Sequence, residues 1–190
     1  MNSILVNRPE TGIVETISSR RGDSNVTRVV TYFRDHGATR ASYITYGGSG
    51  DGIDEVEIVL DRLATTYDVR MRKGSRTELL PGDNGGFTLG TGDSVPEFWI
   101  FPTSPEAMKE PRTVTEIEDR TIAGKAAKGR SVTMSGVRIS WWTWNGIELR
   151  FEVEAHGVVQ SVREATRIET DIPIPDEVFE IPADIHIDGQ

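Results

Sequence analysis

The stretch VRISWWTWNGIELRFEVEAHGVVQSVREATRIETDIPIPDEVFEIPADIHI, residues 137–187, decides the fold of this chain. It carries three of the four tryptophans and the dipeptide Asn145-Gly146 between two runs that alternate apolar and polar residues. Both residues of this dipeptide tolerate the positive φ that a type I′ turn requires, which makes it a strong short signal for a β-hairpin. The stretch therefore predicts two antiparallel strands joined by a two-residue turn.

A two-residue turn fixes which side chains face each other across the hairpin. On one face the pairs are Trp144 with Ile147, Trp142 with Leu149, Ser140 with Phe151, and Arg138 with Val153. The other face sets Val137, Ile139, Trp141 and Thr143 opposite Glu154, Glu152, Arg150 and Glu148. We expect the first face to be the core side, the glutamates to face solvent, and Arg150 to stack on Trp141. A three-residue turn would instead move Trp141 to the face of Leu149.

The aromatic residues of this hairpin have two interpretations. Large aromatic side chains usually fill a core, but they also line sugar-binding and lipid-binding walls. If the chain binds an apolar ligand, the candidate binding wall consists of Trp142, Trp144, Leu149 and Phe151, with Trp141 at its margin.

Length and composition limit the class of protein. A chain of 190 residues is most simply a single domain spanning 1–190. A net charge of −9, with no basic stripe, argues against a nucleic-acid partner. The absence of cysteine excludes disulfides, thiolate metal sites and a cysteine nucleophile.

Apolar runs in the sequence are too short for a transmembrane segment, which needs about 18 to 20 residues. Residues 1–16 lack the basic and apolar regions of a signal peptide. We therefore expect a periplasmic or membrane-associated protein if a signal peptide has been removed, and a cytoplasmic protein otherwise.

The first half of the chain reads as a meander of short strands. Strand patterns occupy residues 12–17, 26–33, 39–46, 65–71 and 77–80, with turns at 35–37 and 73–75. Residues 53–63 fit both helical and alternating spacing, and their β-branched content favours a strand. The glycine-rich loop at 47–52 resembles a fragment of a calcium loop or phosphate cradle, but a plain hairpin loop fits it better.

The second half adds one short helix and a basic patch. Residues 98–101 form an apolar patch, and residues 104–110 carry an N-cap serine and a proline at the first helical position. Lys125, Lys128 and Arg130 indicate a solvated turn, with a surface facing lipid headgroups as the alternative.

The end of the chain is extended. Residues 158–170 read as a strand, and Pro173 and Pro175 end regular pairing. A tight turn at 176–180 should direct Phe179 inward, and residues 181–187 should finish as an edge that a partner could extend.

Catalytic and metal sites lack a recognisable pattern. His36, His156 and His186 are far apart in sequence and match no metal-ligand spacing. Neither a G-x-S-x-G elbow nor an S-x-x-K motif is present. Glu148, Glu152 and Glu154 should keep ordinary carboxylate chemistry on a solvated face. We therefore expect no catalytic residues, no metal and no cofactor, and hence no enzyme.

Several of these motifs together resemble a known group of bacterial domains. They lie at residues 122–124, 137–149, 151–152, 165–168 and 174–183, and more loosely at 12–15, 30–37 and 67–70. The chain is similar in them to domains related to the outer-membrane lipoprotein carrier and sorting (LolA/LppX-like) superfamily. The resemblance implies a mainly β fold in which a strongly curved antiparallel sheet forms a half-barrel, with one or two short helices.

The resemblance also implies a non-enzymatic role in the bacterial cell envelope. We expect binding of a lipid, an acyl chain, another apolar ligand or a lipidated partner. The alternative is a structural or protein-interaction module whose half-barrel is filled and holds no small molecule.

Overall fold

The computed structural model describes residues 9–47, 52–79 and 113–188, and these residues form a mainly β structure. The twelve strands within them are β1 (Gly12–Arg20), β2 (Val26–Arg34), β3 (Thr39–Thr45), β4 (Glu55–Leu60), β5 (Leu63–Asp68), β6 (Lys73–Glu78), β7 (Thr115–Ile122), β8 (Lys125–Met134), β9 (Val137–Trp144), β10 (Ile147–Ala155), β11 (Val158–Thr170) and β12 (His186–Asp188). Two short 3-10 helices span Asp35–Gly37 and Asp176–Phe179.

All twelve strands belong to one sheet, in the order β12-β6-β5-β4-β3-β2-β1-β11-β10-β9-β8-β7. Strands β1 to β6 form one antiparallel meander, and β7 to β11 form a second one. The two meanders join where β1 pairs with β11, and β12 pairs in parallel with β6. The predicted mainly antiparallel architecture is confirmed, whereas the single domain over 1–190 stays a prediction.

Four two-residue turns join the consecutive strands of the second meander. They are Ala123-Gly124, Ser135-Gly136, Asn145-Gly146 and His156-Gly157, and all eight residues have positive φ. Positive φ at both central positions is the requirement of a type I′ turn, whose twist matches that of the flanking strands. The turn predicted at Asn145-Gly146 is therefore confirmed, and three similar turns repeat it.

Most of the predicted strands are present. The first hairpin appears as β1 and β2, and the ambiguous residues 53–63 form β4 and the start of β5 around the turn Asp61-Arg62. The predicted turn at 176–180 is a 3-10 helix that buries Phe179. The helix predicted at 104–110 and the apolar patch at 98–101 lie outside the described residues, as do residues 48–51 of the glycine-rich loop.

Two predicted turns are wrong. Lys125, Lys128 and Arg130 lie in strand β8, because the chain has already turned at Ala123-Gly124. Residues 73–75 likewise begin strand β6. The turn comes earlier there, since the Asp68 carboxylate accepts hydrogen bonds from the backbone N–H groups that follow it, at residues 70 and 71.

The core consists of separate clusters. The largest, called here the Trp142 cluster, joins β1 and β2 to β7–β11 through Val14, Phe33, Ile122, Ala127, Trp142, Ile147, Leu149, Ala165 and Ile168. The Trp141 cluster contains Val132, Ile139, Trp141 and Phe151. A third cluster lies on β3, β4 and β5 and is covered by the end of the chain.

Candidate functional site

The β9–β10 hairpin differs from its predicted register beyond the turn. Trp144 pairs with Ile147 as expected, but a β-bulge between Glu148 and Arg150 leaves Leu149 as an extra residue. Trp142 therefore pairs with Arg150, and Trp141 pairs with Phe151. The pairs predicted from Trp142–Leu149 onward are wrong, because one inserted residue shifts every later pair.

The shifted register divides the five candidate wall residues between two faces. Trp142, Trp144 and Leu149 pack together in the Trp142 cluster. Trp141 and Phe151 pack together in the Trp141 cluster. Successive residues of a strand point to opposite faces, so the five do not form one continuous wall.

Both faces of the hairpin are buried by the chain itself. Trp142 is 3% exposed, Leu149 is 1% exposed, and Trp141, expected at the margin of the wall, is also 3% exposed. Of the three tryptophans here, Trp144 retains some exposure. Whether any of the five residues contacts a ligand stays a prediction, but contact with Trp142 or Leu149 would require the surrounding side chains to move.

A glycine and a bulge hold the Trp142 indole in place. Its Nε1 donates a hydrogen bond to the Glu118 carbonyl oxygen at 2.9 Å, reaching across β8 to β7. In β8 the ring passes Gly129, where a Cβ atom would lie 2.7 Å from Nε1. The β7 strand bulges between Ile117 and Arg120, so the Glu118 carbonyl leaves the regular ladder and accepts the indole N–H. A glycine inside a strand pattern is a signal of such a close approach.

Replacing Gly129 with alanine is therefore expected to destabilise the protein. The new Cβ would also lie 2.6 Å from the Glu118 carbonyl oxygen, so the indole, the bulge or both must shift. Overpacking of this kind costs about 1–3 kcal/mol, which denaturant unfolding can measure. Gly52→Ala is the control, because a Cβ there would have no atom within 4 Å and its backbone does not have a positive φ. Equal losses for the two variants would contradict the close packing at Gly129.

Cationic side chains accompany both tryptophans of this face. The Arg120 guanidinium lies 4.4 Å from the Trp142 ring centroid, and the Lys125 amine lies 4.5 Å from that of Trp144. Arg150 lies 5.7 Å from the Trp142 ring, so its predicted stacking on Trp141 is wrong. Cations over indole faces are attracted by the ring quadrupole, which stabilises the packed arrangement.

The glutamates of β10 are paired with arginines and are largely buried, which corrects the predicted solvated face. The side chain of Glu148 is 6% exposed and accepts two hydrogen bonds from Arg163, whose guanidinium also lies 5.7 Å from the Phe151 ring. Arg150 bonds Glu152 at 2.7 Å and also contacts Glu164. The covering arginines come from three strands, Arg138 from β9, Arg150 from β10 itself and Arg163 from β11. No local pattern in the sequence indicates that pairing.

A second cluster of charged side chains, centred on Glu15, lies where the two meanders join. Glu15 of β1 pairs with Arg28 of β2 at 3.0 Å and with Arg167 of β11 at 2.9 Å. The hydrogen bond from Arg28, aided by that from Arg167, lowers the pKa of the Glu15 carboxyl despite the opposing effect of burial. This carboxylate joins three strands of the sheet.

The lowered pKa of Glu15 has a consequence for stability at acid pH. Folding favours the ionised carboxylate, so its contribution is present above the ordinary value of 4.5 and is lost as the pH falls through the lower folded pKa. We expect the free energy of unfolding to decrease with acidification in this window. Glu15→Gln should make that decrease shallower in urea titrations at successive pH values. Identical pH profiles for the two proteins would show that Glu15 does not contribute.

A grouping of metal ligands is not found in the part of the chain that the structure describes. There, no three acidic or histidine side chains come together as a ligand set. The histidines lie apart: His36 Nδ1 is 3.1 Å from the Pro9 carbonyl oxygen, His156 sits in a turn, and His186 lies near Asp188 in β12. Within the same residues, none of the helices has the length and apolarity needed to span a bilayer.

Comparisons with known proteins give structural matches only. The chain matches no protein-family model and no curated protein sequence. An uncharacterized conserved protein from Thermus thermophilus shares 8% identity with a TM-score of 0.61, over 97% of this chain and 93% of the other. MucB from Pseudomonas aeruginosa, in its complex with MucA, shares 12% identity with a TM-score of 0.58, over 95% of this chain. This chain spans 59% of that matched chain.

The resemblance expected from the sequence is confirmed as a likeness. The matching structures include a domain from Vibrio parahaemolyticus assigned to outer membrane lipoprotein sorting, at 8% identity over 89% of this chain and 88% of the other. Its TM-score is 0.35. The likeness to the Thermus protein and to MucB shows that the fold is shared.

Proposed function

We propose that this chain is a non-enzymatic domain of the bacterial cell envelope that binds a protein partner. The observation that carries the proposal is the fold shared with MucB, which has been solved in complex with MucA.

We further propose that the sheet is a half-barrel. Strands β11 and β7 approach within 8 Å between Cα atoms although β10, β9 and β8 lie between them in the sheet. In a flat sheet the same two strands would be about 19 Å apart, at roughly 4.8 Å per strand. The sheet must therefore bend sharply in this half, which supports a half-barrel that is open on one side.

The hairpin face that carries Trp142, Trp144 and Leu149 is called here the aromatic face. Because side chains of the protein itself fill it, a protein partner is favoured over a small apolar ligand. Trp142 and Leu149 are almost completely buried by other parts of the chain. A water-accessible pocket beside these side chains would leave part of their surface exposed to solvent. A domain with this face filled presents its outer surface, its loops and its edges to a partner.

Binding of a lipid, acyl chain or other apolar ligand is the second candidate. For this candidate, the proposed binding wall consists of Trp142, Trp144 and Leu149 on one face of the hairpin. Trp141 and Phe151 form its part on the other face. The partial exposure of Trp144 beside Lys125 favours this end of the hairpin as the point of entry. Binding there would displace side chains of the Trp142 cluster.

Photo-cross-linking in the cells that naturally produce the protein tests the proposal. A photoreactive amino acid is placed singly at exposed apolar positions around the sheet, namely Ile17, Leu60, Met71 and Val158. We expect a discrete protein adduct from one or more positions, in the periplasmic or membrane fraction. The buried Trp142 is the control position and should give none. Adducts with lipid alone, adducts confined to the cytoplasm, or no adduct would contradict the proposal.

A further inference from the structure

The last part of the chain covers an apolar face of the first meander. Residues 172–188, called here the strap, follow β11 and end with β12. The strap places Ile174 and Phe179 in a cluster with Ala41, Ile58 and Tyr67. Further apolar strap residues pack against the same cluster, namely Ile172, Val178, Ile181, Ile185 and Ile187. The face is thus covered by an extended segment with one turn of 3-10 helix.

Contacts of the strap with the sheet depend mainly on side chains. Its regular strand is three residues long, His186–Asp188, and pairs with β6 at the edge of the sheet. Two ion pairs connect it to the sheet, Arg34–Asp176 and Arg72–Asp184, and Asp176 and Asp184 are 80% and 55% exposed. Exposed ion pairs contribute little to stability. With so short a ladder the strap is held mainly by its apolar contacts, and we expect the backbone amides of β12 to exchange before those of the inner strands.

The face beneath the strap is suited to an extended peptide. Tyr32 and Tyr43 meet edge to face at 5.7 Å, and Tyr67 lies in the same cluster. The Tyr43 hydroxyl donates a hydrogen bond to the Val178 carbonyl at 2.8 Å, so the face recognises peptide backbone as well as apolar side chains. Arg34 also lies 4.2 Å from the Phe179 ring.

Close backbone approach at the sheet edge supports the same conclusion. Ile187 pairs with Gly74, where a Cβ atom would lie 2.4 Å from the Thr66 carbonyl oxygen of β5 and 3.0 Å from the Ile187 side chain of β12. The glycine therefore allows β6 to lie close to β5 on one side and to β12 on the other. Pairing with the backbone of β6 is a feature that a lipid chain cannot use, so a polypeptide is the better fit.

We propose that the face under the strap is a docking groove for an extended segment of a protein partner, and that the strap occupies it in the free protein. The segment has the strap's own chemistry: branched or aromatic residues at the positions of Ile174 and Phe179, and acidic residues that pair with Arg34 and Arg72. This inference rests on the proposed function and names the surface that the partner uses. Docking then requires that the strap leave the groove.

A fluorescent peptide with the strap sequence, residues 172–188, serves as the probe. In the full-length protein the attached strap competes with it at a high effective concentration. Phe179→Ala removes the largest buried strap contact, so we expect the labelled peptide to bind this variant at least about tenfold more tightly than wild type. A peptide carrying both Ile174→Ala and Phe179→Ala is the matched control and should not bind.

A disulfide that locks the strap provides the decisive comparison. Lys73 and His186 are exposed, directly paired residues of β6 and β12, whose Cα atoms should lie about 4.8 Å apart, within the range for a disulfide. The chain has no cysteine of its own, so Lys73→Cys with His186→Cys forms a single bridge. In the Phe179→Ala background, oxidation should abolish peptide binding and reduction should restore it. Thr133→Cys with Arg138→Cys, which joins β8 to β9, is the control bridge and should have no effect.

Hydrogen exchange on the wild-type protein tests the proposal even if Phe179→Ala does not fold. The His186 amide, which bonds the Arg72 carbonyl, should exchange faster than amides of β9 and β10. Equal protection, peptide binding that survives the locked strap, or failure of the peptide to bind the folded Phe179→Ala variant would overturn the docking groove. If cross-linking still yields a protein adduct in that case, the proposed function stands and the partner binds elsewhere.

Discussion

Replacing Trp142 with alanine is expected to lower the free energy of unfolding by about 3–5 kcal/mol, the usual cost of removing a buried tryptophan. The indole is 3% exposed, packs with Ile147 and Leu149, and bonds the Glu118 carbonyl. The substitution removes its packing and leaves that carbonyl without its indole donor. Urea unfolding followed by circular dichroism measures the loss.

Trp144→Ala is the matched comparison for this variant. Trp144 lies on the same face two residues away but is only partly buried, so its loss should be clearly smaller than that of Trp142. A ligand-lining tryptophan in an open wall can be removed at little cost to stability. A loss below about 1 kcal/mol for Trp142→Ala would therefore contradict a filled face.

The second large effect concerns Trp141 and its cross-strand partner. Trp141→Ala and Phe151→Ala should each cost about 3–5 kcal/mol, since both side chains are buried in one cluster. Because the two residues are paired across β9 and β10, a double-mutant cycle should give a coupling of about 0.5–3 kcal/mol.

A second double-mutant cycle, between Trp142 and Phe151, distinguishes the bulged register of the structure from a hairpin register without a bulge. These side chains belong to different clusters, so their effects should add within about 0.5 kcal/mol. A regular two-residue hairpin without a bulge would place both on the same face. Strong coupling of Trp142 with Phe151, and none of Trp141 with Phe151, would contradict the bulge at Leu149.

Local sequence signals predicted the elements that depend on local chemistry. Asn145-Gly146 indicated its turn because both residues tolerate positive φ, and the alternation on either side indicated the strands. Pro173 and Pro175 marked the end of β11 for a similar local reason, since proline cannot donate to a ladder. These signals lie within a few residues of the structure that they specify.

The features that were missed depend on residues distant in the sequence. The bulge at Leu149 leaves the polar and apolar alternation of β10 unchanged, so the pattern predicted a regular register. Gly129 receives the Trp142 ring from the next strand, and its role is visible only once β8 and β9 are paired. The local pattern of residues 125–130 therefore indicated a charged turn, whereas these residues form an inner strand of the sheet.

Burial of the charged residues was misjudged for the same reason. Alternation placed Glu148 and Glu152 on a polar face, and a polar face usually points to solvent. Arginines of the strand pair β10–β11 instead cover these carboxylates, as Arg163 does for Glu148. The candidate wall residues, apart from Trp141 at the margin, were expected along one face, and the sequence could not show that they occupy two.

The strap illustrates what pattern analysis can and cannot show. The sequence predicted an inward Phe179 and an extended edge at 181–187, and both the buried ring and the edge strand β12 are present. It did not show that the segment covers Tyr43 and Tyr67 of the first meander, because that contact joins residues more than 100 positions apart. The proposed docking groove thus depends on tertiary structure alone.

Organic extraction and mass spectrometry of the protein, purified from the cells that naturally produce it, test the filled aromatic face most directly. With Trp142 and Leu149 covered by the chain's own side chains, we expect lipid in amounts far below one molecule per protein chain. A homogeneous lipid recovered in equimolar amount, and lost in a folded Trp142→Phe variant, would contradict the filled face and establish the apolar ligand instead.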